Sequence, residues 1–173
     1  SERIDDCPNV VAGYMPLSHM AGRWQVLSTF AAGGRLAFVS KSDMSTLFDD
    51  IRAIRPTTLF LVPRVAEMLY HRYRAEVARR TPGTSEEEHA RVADEVMTEM
   101  RTSVLGDRLL AIMIGSAPTP EVVVRFLERC FDVPVSDAYG STEAGGITTD
   151  GRVQKDVEYR LVDVPELGYR STD

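Results

Sequence analysis

Cysteine is scarce in this 173-residue sequence, and long apolar runs are absent. The two cysteines, Cys7 and Cys130, lie far apart and form neither a C-x-x-C pair nor a cluster with histidine. This spacing argues against both a structural zinc site and a disulfide framework. No apolar run reaches the roughly 18 residues needed to cross a bilayer, and no signal-peptide pattern is found. We therefore expect no membrane span and, by default, a cytoplasmic location.

Basic residues are in the minority, with 20 Lys and Arg against 26 Asp and Glu and a net charge of −6. They are scattered, without a basic stripe or interleaved aromatic residues, which argues against a nucleic-acid partner. The signatures G-x-S-x-G, H-E-x-x-H and G-x-G-x-x-G are also missing. A serine hydrolase, a zinc protease and a dinucleotide-binding fold therefore have no support.

Five short apolar segments alternate with longer stretches of helical period. Their continuous apolar character is typical of parallel strands that are buried on both faces. The predicted strands span residues 10–14, 35–39, 58–62, 109–114 and 133–137. The pattern predicts an α/β fold with a mostly parallel sheet covered by helices on both faces.

Four helices are predicted from apolar residues that recur every three or four positions. Residues that favour helix starts precede or open them: Ser45, Pro63, Ser85 and Thr119. Ser85 forms an S-x-x-E capping box with Glu88. The last helix ends near Phe131, and Cys130 is expected to be a buried thiol on it.

The composition changes after Gly146. The turn signal Asp150-Gly151 predicts a hairpin, and residues 157–162 predict one more strand. We expect this tail to belong to a different sheet. The predicted organisation is a central α/β subdomain over residues 1–146 and a β-hairpin and strand segment over 147–173 that leads to the next subdomain.

Three segments rich in small and polar residues follow predicted strands: M-P-L-S-H-M-A-G at 15–22, G-S-A-P at 115–118 and Y-G-S-T-E-A-G at 139–145. Because ligands of open α/β sheets bind beyond the carboxyl ends of the strands, these loops are expected to meet at one crevice. In the third loop, Gly140 lets the backbone approach a ligand, Thr142 can donate to a phosphate, and Glu143 offers the oxygen that magnesium prefers. Taken singly, such a loop is more often a plain surface turn, and a lone histidine is more often a satisfied polar residue.

Together, the three motifs in this order resemble the adenylation domains of the adenylate-forming superfamily, which includes acyl-CoA synthetases and carboxylic acid reductases. Residues 157–173 are most similar to the actinobacterial carboxylic acid reductases. The resemblance implies that a substrate carboxylate attacks the α-phosphorus of ATP, with Mg²⁺ present, to give an acyl adenylate and pyrophosphate. Catalysis of this kind is mostly positioning and charge neutralisation.

The resemblance also implies the site residues. His19 lies beside the phosphate and the acyl carboxylate, Thr142 contacts the α-phosphate, and Glu143 holds the metal; these are the catalytic candidates. Asp137 or the neighbouring backbone reads the adenine amino group, although Asp137 has a competing explanation as a loop cap. The nucleotide-binding set implied is His19, Ser116, Ala117, Pro118, Asp137, Ala138, Tyr139, Gly140, Ser141 and Thr142, with Tyr139 stacked on the adenine ring.

In a carboxylic acid reductase, a fatty or aromatic acid would pass from the adenylate to a phosphopantetheine thiol on a carrier domain. An NADPH-dependent reductase domain would then release an aldehyde. Two alternatives stay open: an acyl-CoA ligase, and a noncatalytic α/β interaction module. The family's phosphate loop ending in P-K-G and its later aspartate and lysine are not found in these residues. We therefore expect an interior fragment that by itself neither adenylates nor binds ATP tightly.

Overall fold

The computed structural model describes residues 9–172, so Cys7 lies outside the described residues. Within these residues, one sheet contains seven strands in the order β2-β1-β3-β4-β5-β6-β7. β1 to β5 pair in parallel, whereas β5, β6 and β7 pair antiparallel. The strands are β1 Val10–Gly13, β2 Arg35–Phe38, β3 Thr58–Leu61, β4 Ala111–Gly115, β5 Val135–Ser141, β6 Gly145–Thr149 and β7 Arg152–Val153. The predicted α/β fold with a mostly parallel sheet is confirmed.

In the described part of the chain, five α-helices connect the parallel strands: α1 Met20–Ala31, α2 Leu47–Ile54, α3 Pro63–Arg80, α4 Glu86–Ser103 and α5 Glu121–Phe131. A 3₁₀ turn follows at Pro165–Leu167. The four predicted helices are all present, and α1 was not predicted. Its buried residues are Gly22, Gln25 and Thr29, while Leu27 and Phe30 are exposed, so α1 lacks the inward apolar stripe that marks an amphipathic helix.

The predicted helix boundaries have identifiable causes. Pro63 is the first residue of α3, where a missing N–H leaves no hydrogen bond unmade. The Ser85 side chain accepts from the Glu88 N–H at 3.3 Å, which confirms the start of α4. The Glu88 carboxylate is engaged by Arg91. Arg55 ends α2 in a left-handed conformation, with φ of 53°, directly before Pro56.

The two faces of the sheet differ. Alternate strand residues point to opposite faces, and those at positions 12, 59, 61, 112 and 114 enter one apolar core with side chains from α2 to α5. Phe60 and Met113, at the intervening positions, point to the other face and line an open cleft. α1 contacts β1 and β2 beside this cleft. The sheet therefore has a closed, packed face and an open face.

Two expectations about the strands are wrong. β2 is an edge strand and is not buried on both faces, since Phe38 is 60% exposed. The β6–β7 hairpin joins the same sheet as the parallel strands. Its turn has positive φ at both central residues, Asp150 (51°) and Gly151 (70°), as an Asp-Gly hairpin turn requires. Antiparallel pairing with β5 lets the hairpin extend the parallel sheet without a crossover helix.

Residues 157–162 do not form the expected strand. The regular structure found beyond them in the described part of the tail is an isolated bridge between Val164 and Tyr169 and the short 3₁₀ turn. Alternating apolar residues there lack a neighbouring strand with which to pair. The division of the chain at residue 146 stays a prediction.

Cys130 is fully buried on α5, as expected, and burial raises the pKa of its thiol to about 12. The thiol therefore stays protonated and packs as a small apolar group. Within residues 9–172, none of the helices combines the length and apolar character needed to cross a membrane.

Candidate functional site

A cleft of about 310 Å³ opens on the less covered face of the sheet, at the carboxyl ends of β3, β4 and β5. All three sequence motifs contribute to its wall, so the expected convergence of the loops is observed. The wall includes these predicted site residues: His19, Ser116, Ala138, Tyr139, Gly140, Ser141 and Thr142. Four other predicted residues lie outside the wall: Ala117, Pro118, Asp137 and Glu143.

The first motif forms a tight turn that presents His19. Its Nδ1 caps α1 by accepting from the Ala21 N–H at 3.2 Å. Because Nδ1 accepts, a neutral ring in this arrangement carries its proton on Nε2, which is left to donate toward the cleft. A Cβ at Gly22 would lie 2.3 Å from the Pro16 carbonyl oxygen. The spacing P-L-S-H-x-x-G is therefore a packing requirement between the turn and the helix.

Arg23 fixes the same turn from the helix. Its guanidinium donates to the Leu17 and Ser18 carbonyl oxygens at 3.1 and 3.0 Å. The two residues immediately before His19 are thereby attached to α1. The turn is therefore held by its own helix.

The second motif begins where β4 approaches its neighbours closely. A Cβ at Gly115 would lie 2.7 Å from the Ala138 carbonyl oxygen and 3.2 Å from Cζ of Phe60. Ser116 follows with φ of 79°, a conformation that is costly for a residue with a side chain. This sharp turn places Ser116 in the cleft wall and directs Ala117 and Pro118 away from it.

The third motif is the end of a strand and a hairpin turn, which corrects the expectation of a loop after a buried strand. β5 continues through Ser141, and Thr142 to Ala144 connect it to β6. The Ser141 hydroxyl accepts from the Ala144 N–H at 3.1 Å. A Cβ at Gly140 would lie 2.3 Å from the Gly145 carbonyl oxygen. The strand was predicted to end at residue 137. It ends at residue 141 because its last residues pair antiparallel with β6.

Glu143 lies at the exposed tip of this hairpin, and within the described chain its carboxylate has no hydrogen-bond or ion-pair partner. No cluster of three His, Cys, Asp or Glu side chains suited to a metal is found among residues 9–172. A single free carboxylate is nevertheless compatible with Mg²⁺, which commonly binds one or two carboxylates together with substrate phosphates. Asp137 is held differently: its N–H donates to Asp150 Oδ1 at 2.9 Å. The capping carboxylate at this position therefore belongs to Asp150.

Several wall residues were not predicted. Phe60 and Met113 belong to predicted strands, and strand alternation would have placed them on the face opposite Leu59 and Ile112. Others come from α1 and the hairpin: Met20, Ala21, Gly146, Thr148, Thr149 and Gln154. On α1, Trp24 also lines the cleft, and Val26 and Leu27 do not.

His19 has two candidate roles, as the cap of α1 through Nδ1 and as a donor through Nε2, and substitution can separate them. His19→Asn keeps a side-chain oxygen that can cap the Ala21 N–H but removes the Nε2–H donor. If the donor serves the reaction, we expect adenylation by the full-length protein to slow roughly 10²-fold. His71→Gln, on the exposed surface of α3, is the matched control and should have no effect. Equal rates for the two variants in a pyrophosphate-exchange assay would remove His19 from the reaction.

Comparison with known proteins agrees with the resemblance found in the sequence. The family model described as AMP-binding enzyme matches residues 2–169. The carboxylic acid reductase of Segniliparus rugosus is 42% identical over 170 residues, covering 97% of this chain and 14% of that reductase. More distantly, long chain acyl-CoA synthetase 2 of Arabidopsis thaliana is 28% identical over 200 residues, covering 98% of this chain and 30% of that protein.

A solved structure shows the same fold. It is the A domain of the carboxylic acid reductase from Segniliparus rugosus in complex with AMP and a co-purified carboxylic acid. The TM-score between the two structures is 0.86 at 43% sequence identity, and the match covers 97% of this chain and 26% of that chain. The chain therefore belongs to the family of AMP-binding enzymes and corresponds to part of an adenylation domain of the carboxylic acid reductase type.

Proposed function

We propose that the cleft forms one side of a site where a carboxylic acid reacts with ATP to form an acyl adenylate and pyrophosphate. The meeting of the three motifs at a single cleft carries this proposal. It is supported by the similar A domain, which holds AMP and a carboxylic acid. Because the chain spans only 14% of the similar reductase, the activity is proposed for the full-length protein.

The polar part of the wall is suited to the nucleotide. Tyr139 is 61% exposed, so its ring is free to stack on an adenine base. Ser116 and Ala138 line the cleft with it and form the proposed adenine side, and Ala117, Pro118 and Asp137 are their sequence neighbours outside the wall. Thr142 and the Nε2–H of His19 are the proposed donors to the α-phosphate and to the acyl carboxylate. Donors fixed by the fold stabilise developing negative charge without reorganising.

Glu143 is the proposed magnesium ligand, at the hairpin tip next to Thr142. The bound ion would neutralise phosphate charge as pyrophosphate departs. The chain's own contribution is to hold the carboxylate at the end of a short turn that Ser141 fixes through the Ala144 N–H. Thr142 and Glu143 are consecutive residues of this turn. One donor and one metal ligand would therefore serve the same phosphate group.

The apolar part of the wall is suited to the acid. Trp24, Phe60 and Met113 line the cleft, and no Asp, Glu, Lys or Arg side chain is found among the described residues that do so. Such a surface favours an acid with an uncharged hydrocarbon chain or ring, because a second charge would lose hydration without gaining a partner. A fatty or aromatic acid fits this description.

For the full-length protein we propose the reductase route, in which the acyl group moves to a phosphopantetheine thiol and is reduced with NADPH. The higher identity to carboxylic acid reductase than to acyl-CoA synthetase supports it. The alternative is an acyl-CoA ligase, in which coenzyme A accepts the acyl group. The need for ATP favours a cytoplasmic location.

Carboxylate-dependent exchange of labelled pyrophosphate into ATP by the full-length protein is the direct test. Exchange that requires both Mg²⁺ and a fatty or aromatic acid is the expected result. Aldehyde formation that depends on NADPH would then distinguish a reductase from a ligase, for which acyl-CoA is the product. ATP binding without acid-dependent exchange would overturn the proposal and favour a noncatalytic module.

A further inference from the structure

Tyr14 follows β1, and its phenol connects two strands beneath the cleft. The hydroxyl donates to the Phe60 carbonyl oxygen at 2.9 Å and accepts from the Val62 N–H at 3.1 Å. Burial raises the pKa of Tyr14 to about 12. The phenol is therefore neutral at physiological pH and retains both the proton that it donates and the lone pair that accepts.

This connection substitutes for strand pairing. β1 pairs with β2 at four positions but with β3 through the single pair Val11 and Thr58. At the start of the seam, the Thr57 hydroxyl accepts from the Val10 N–H at 2.8 Å. At its other end, where the strands reach the cleft, the Tyr14 hydroxyl takes the place of a backbone partner. A backbone bond adds to the Thr57 side chain at the start, since the Thr57 N–H donates to the Val10 carbonyl oxygen at 2.8 Å. At the cleft end, the Tyr14 hydroxyl joins the two strands.

The end that Tyr14 holds carries a residue of the cleft wall. The two hydrogen bonds fall on either side of Leu61, which is fully buried in the core. The backbone of Phe60 is thereby fixed, and the Phe60 ring lies so near Gly115 that a Cβ there would be 3.2 Å from Cζ. A shift of the end of β3 would move the ring within the cleft or press it against β4.

We propose that Tyr14 is a positioning residue for the acid-binding side of the cleft: it holds the end of β3 so that the Phe60 ring contacts the hydrocarbon part of the substrate acid. Tyr14 itself touches no substrate in this role. The inference rests on the proposed function, since it assigns Phe60 to the acid and not to the nucleotide.

Tyr14→Phe in the full-length protein removes the hydroxyl and retains the ring. We expect the KM for the acid to rise roughly tenfold, because small displacements of positioning groups are costly. The KM for ATP should stay unchanged. Tyr73→Phe is the matched control: Tyr73 lies on α3, its ring packs on Phe126, and within the described residues its hydroxyl has no hydrogen bond. A purely structural role for Tyr14 would lower the thermal midpoint without separating the two KM values.

Steady-state pyrophosphate exchange measures both KM values. Absence of acid-dependent exchange in the wild-type protein would count against the proposed function. Wild-type exchange with Tyr14→Phe indistinguishable from Tyr73→Phe would overturn the inference alone. In a Phe60→Leu background, Tyr14→Phe should raise the KM for the acid less than it does in the wild type, because the two residues act through one contact.

A second variant tests the contact without altering Tyr14. Val62→Pro removes the N–H that donates to the hydroxyl, and the φ of −80° at Val62 is compatible with proline. If Tyr14→Phe does not fold, Val62→Pro, which leaves the bond to the Phe60 carbonyl oxygen in place, should show a smaller rise in the KM for the acid with the KM for ATP unchanged. An unchanged KM for the acid in a folded Val62→Pro protein would overturn the inference.

Discussion

Replacement of Glu143 by glutamine in the full-length protein is expected to slow acyl-adenylate formation by roughly 10²- to 10³-fold, as for other removals of charge stabilisation at a reacting phosphate. Glutamine keeps the size of the side chain and removes the charge that Mg²⁺ prefers. The carboxylate makes no hydrogen bond or ion pair within the described residues, so its loss should leave the fold intact. The measurement is single-turnover formation of acyl adenylate at saturating ATP.

A metal titration sharpens this test. If Glu143 holds the ion, Glu143→Gln should require more Mg²⁺ for half-maximal rate, whereas Thr142→Ala should slow the reaction without changing the Mg²⁺ requirement. Glu87→Gln, in the first turn of α4 behind the sheet, is the control for removal of an exposed carboxylate. Rates unchanged in both Glu143→Gln and Thr142→Ala would remove the two residues from the proposed roles.

Gly140→Ala is expected to disrupt the hairpin that carries Thr142 and Glu143. The added Cβ would lie 2.3 Å from the Gly145 carbonyl oxygen, which belongs to the backbone and cannot rotate away. Relief requires separation of β5 from β6 at the turn, at a cost of about 3 kcal/mol, in the range of severe overpacking. We expect adenylation to be lost and amide hydrogen exchange, measured by mass spectrometry, to become faster across residues 135–149.

Gly146→Ala provides a control at the β6 residue that pairs with Gly140. There the added Cβ would meet Nε2 of Gln154 at 3.0 Å, and this far end of a flexible side chain can move. Protection of the hairpin should therefore stay near the wild-type level. Equal loss of protection in Gly140→Ala and Gly146→Ala would show that the close approach at Gly140 does not determine the hairpin.

The helices and parallel strands were predictable because their signals are local. Pro63 and the Ser85 cap mark helix starts, and the buried apolar segments at Leu59 and Ile112 mark strands that face a core. α1 escaped prediction because Gln25 and Thr29, and not apolar residues, form its buried side. Residues 157–162 have the alternation of a strand but lack a partner, and pairing depends on a second segment that local sequence does not specify.

The three motifs identified the site because each combines glycine or proline with a functional side chain at fixed spacing, and their order resembles one family. Their separate positions in the sequence could not show which side chains face the cleft. Glu143 and Pro118 belong to motifs yet lie outside the wall, while Phe60 and Met113 belong to no motif and lie within it. Whether a strand residue lines the cleft depends on the face of the sheet to which its side chain points and on which strand lies next to it.

By itself, the amino-acid sequence determined the α/β class, the residues that turn the chain at His19 and Ser116, and the chemistry that those residues offer. Only the tertiary structure decided that β6 and β7 extend the same sheet and that the Tyr14 phenol holds the end of β3 under the cleft. The reason is that turns and helix caps follow from short-range sterics and hydrogen bonds. Strand partners and cleft walls form between residues tens of positions apart, where many pairings satisfy the same local pattern and packing selects one.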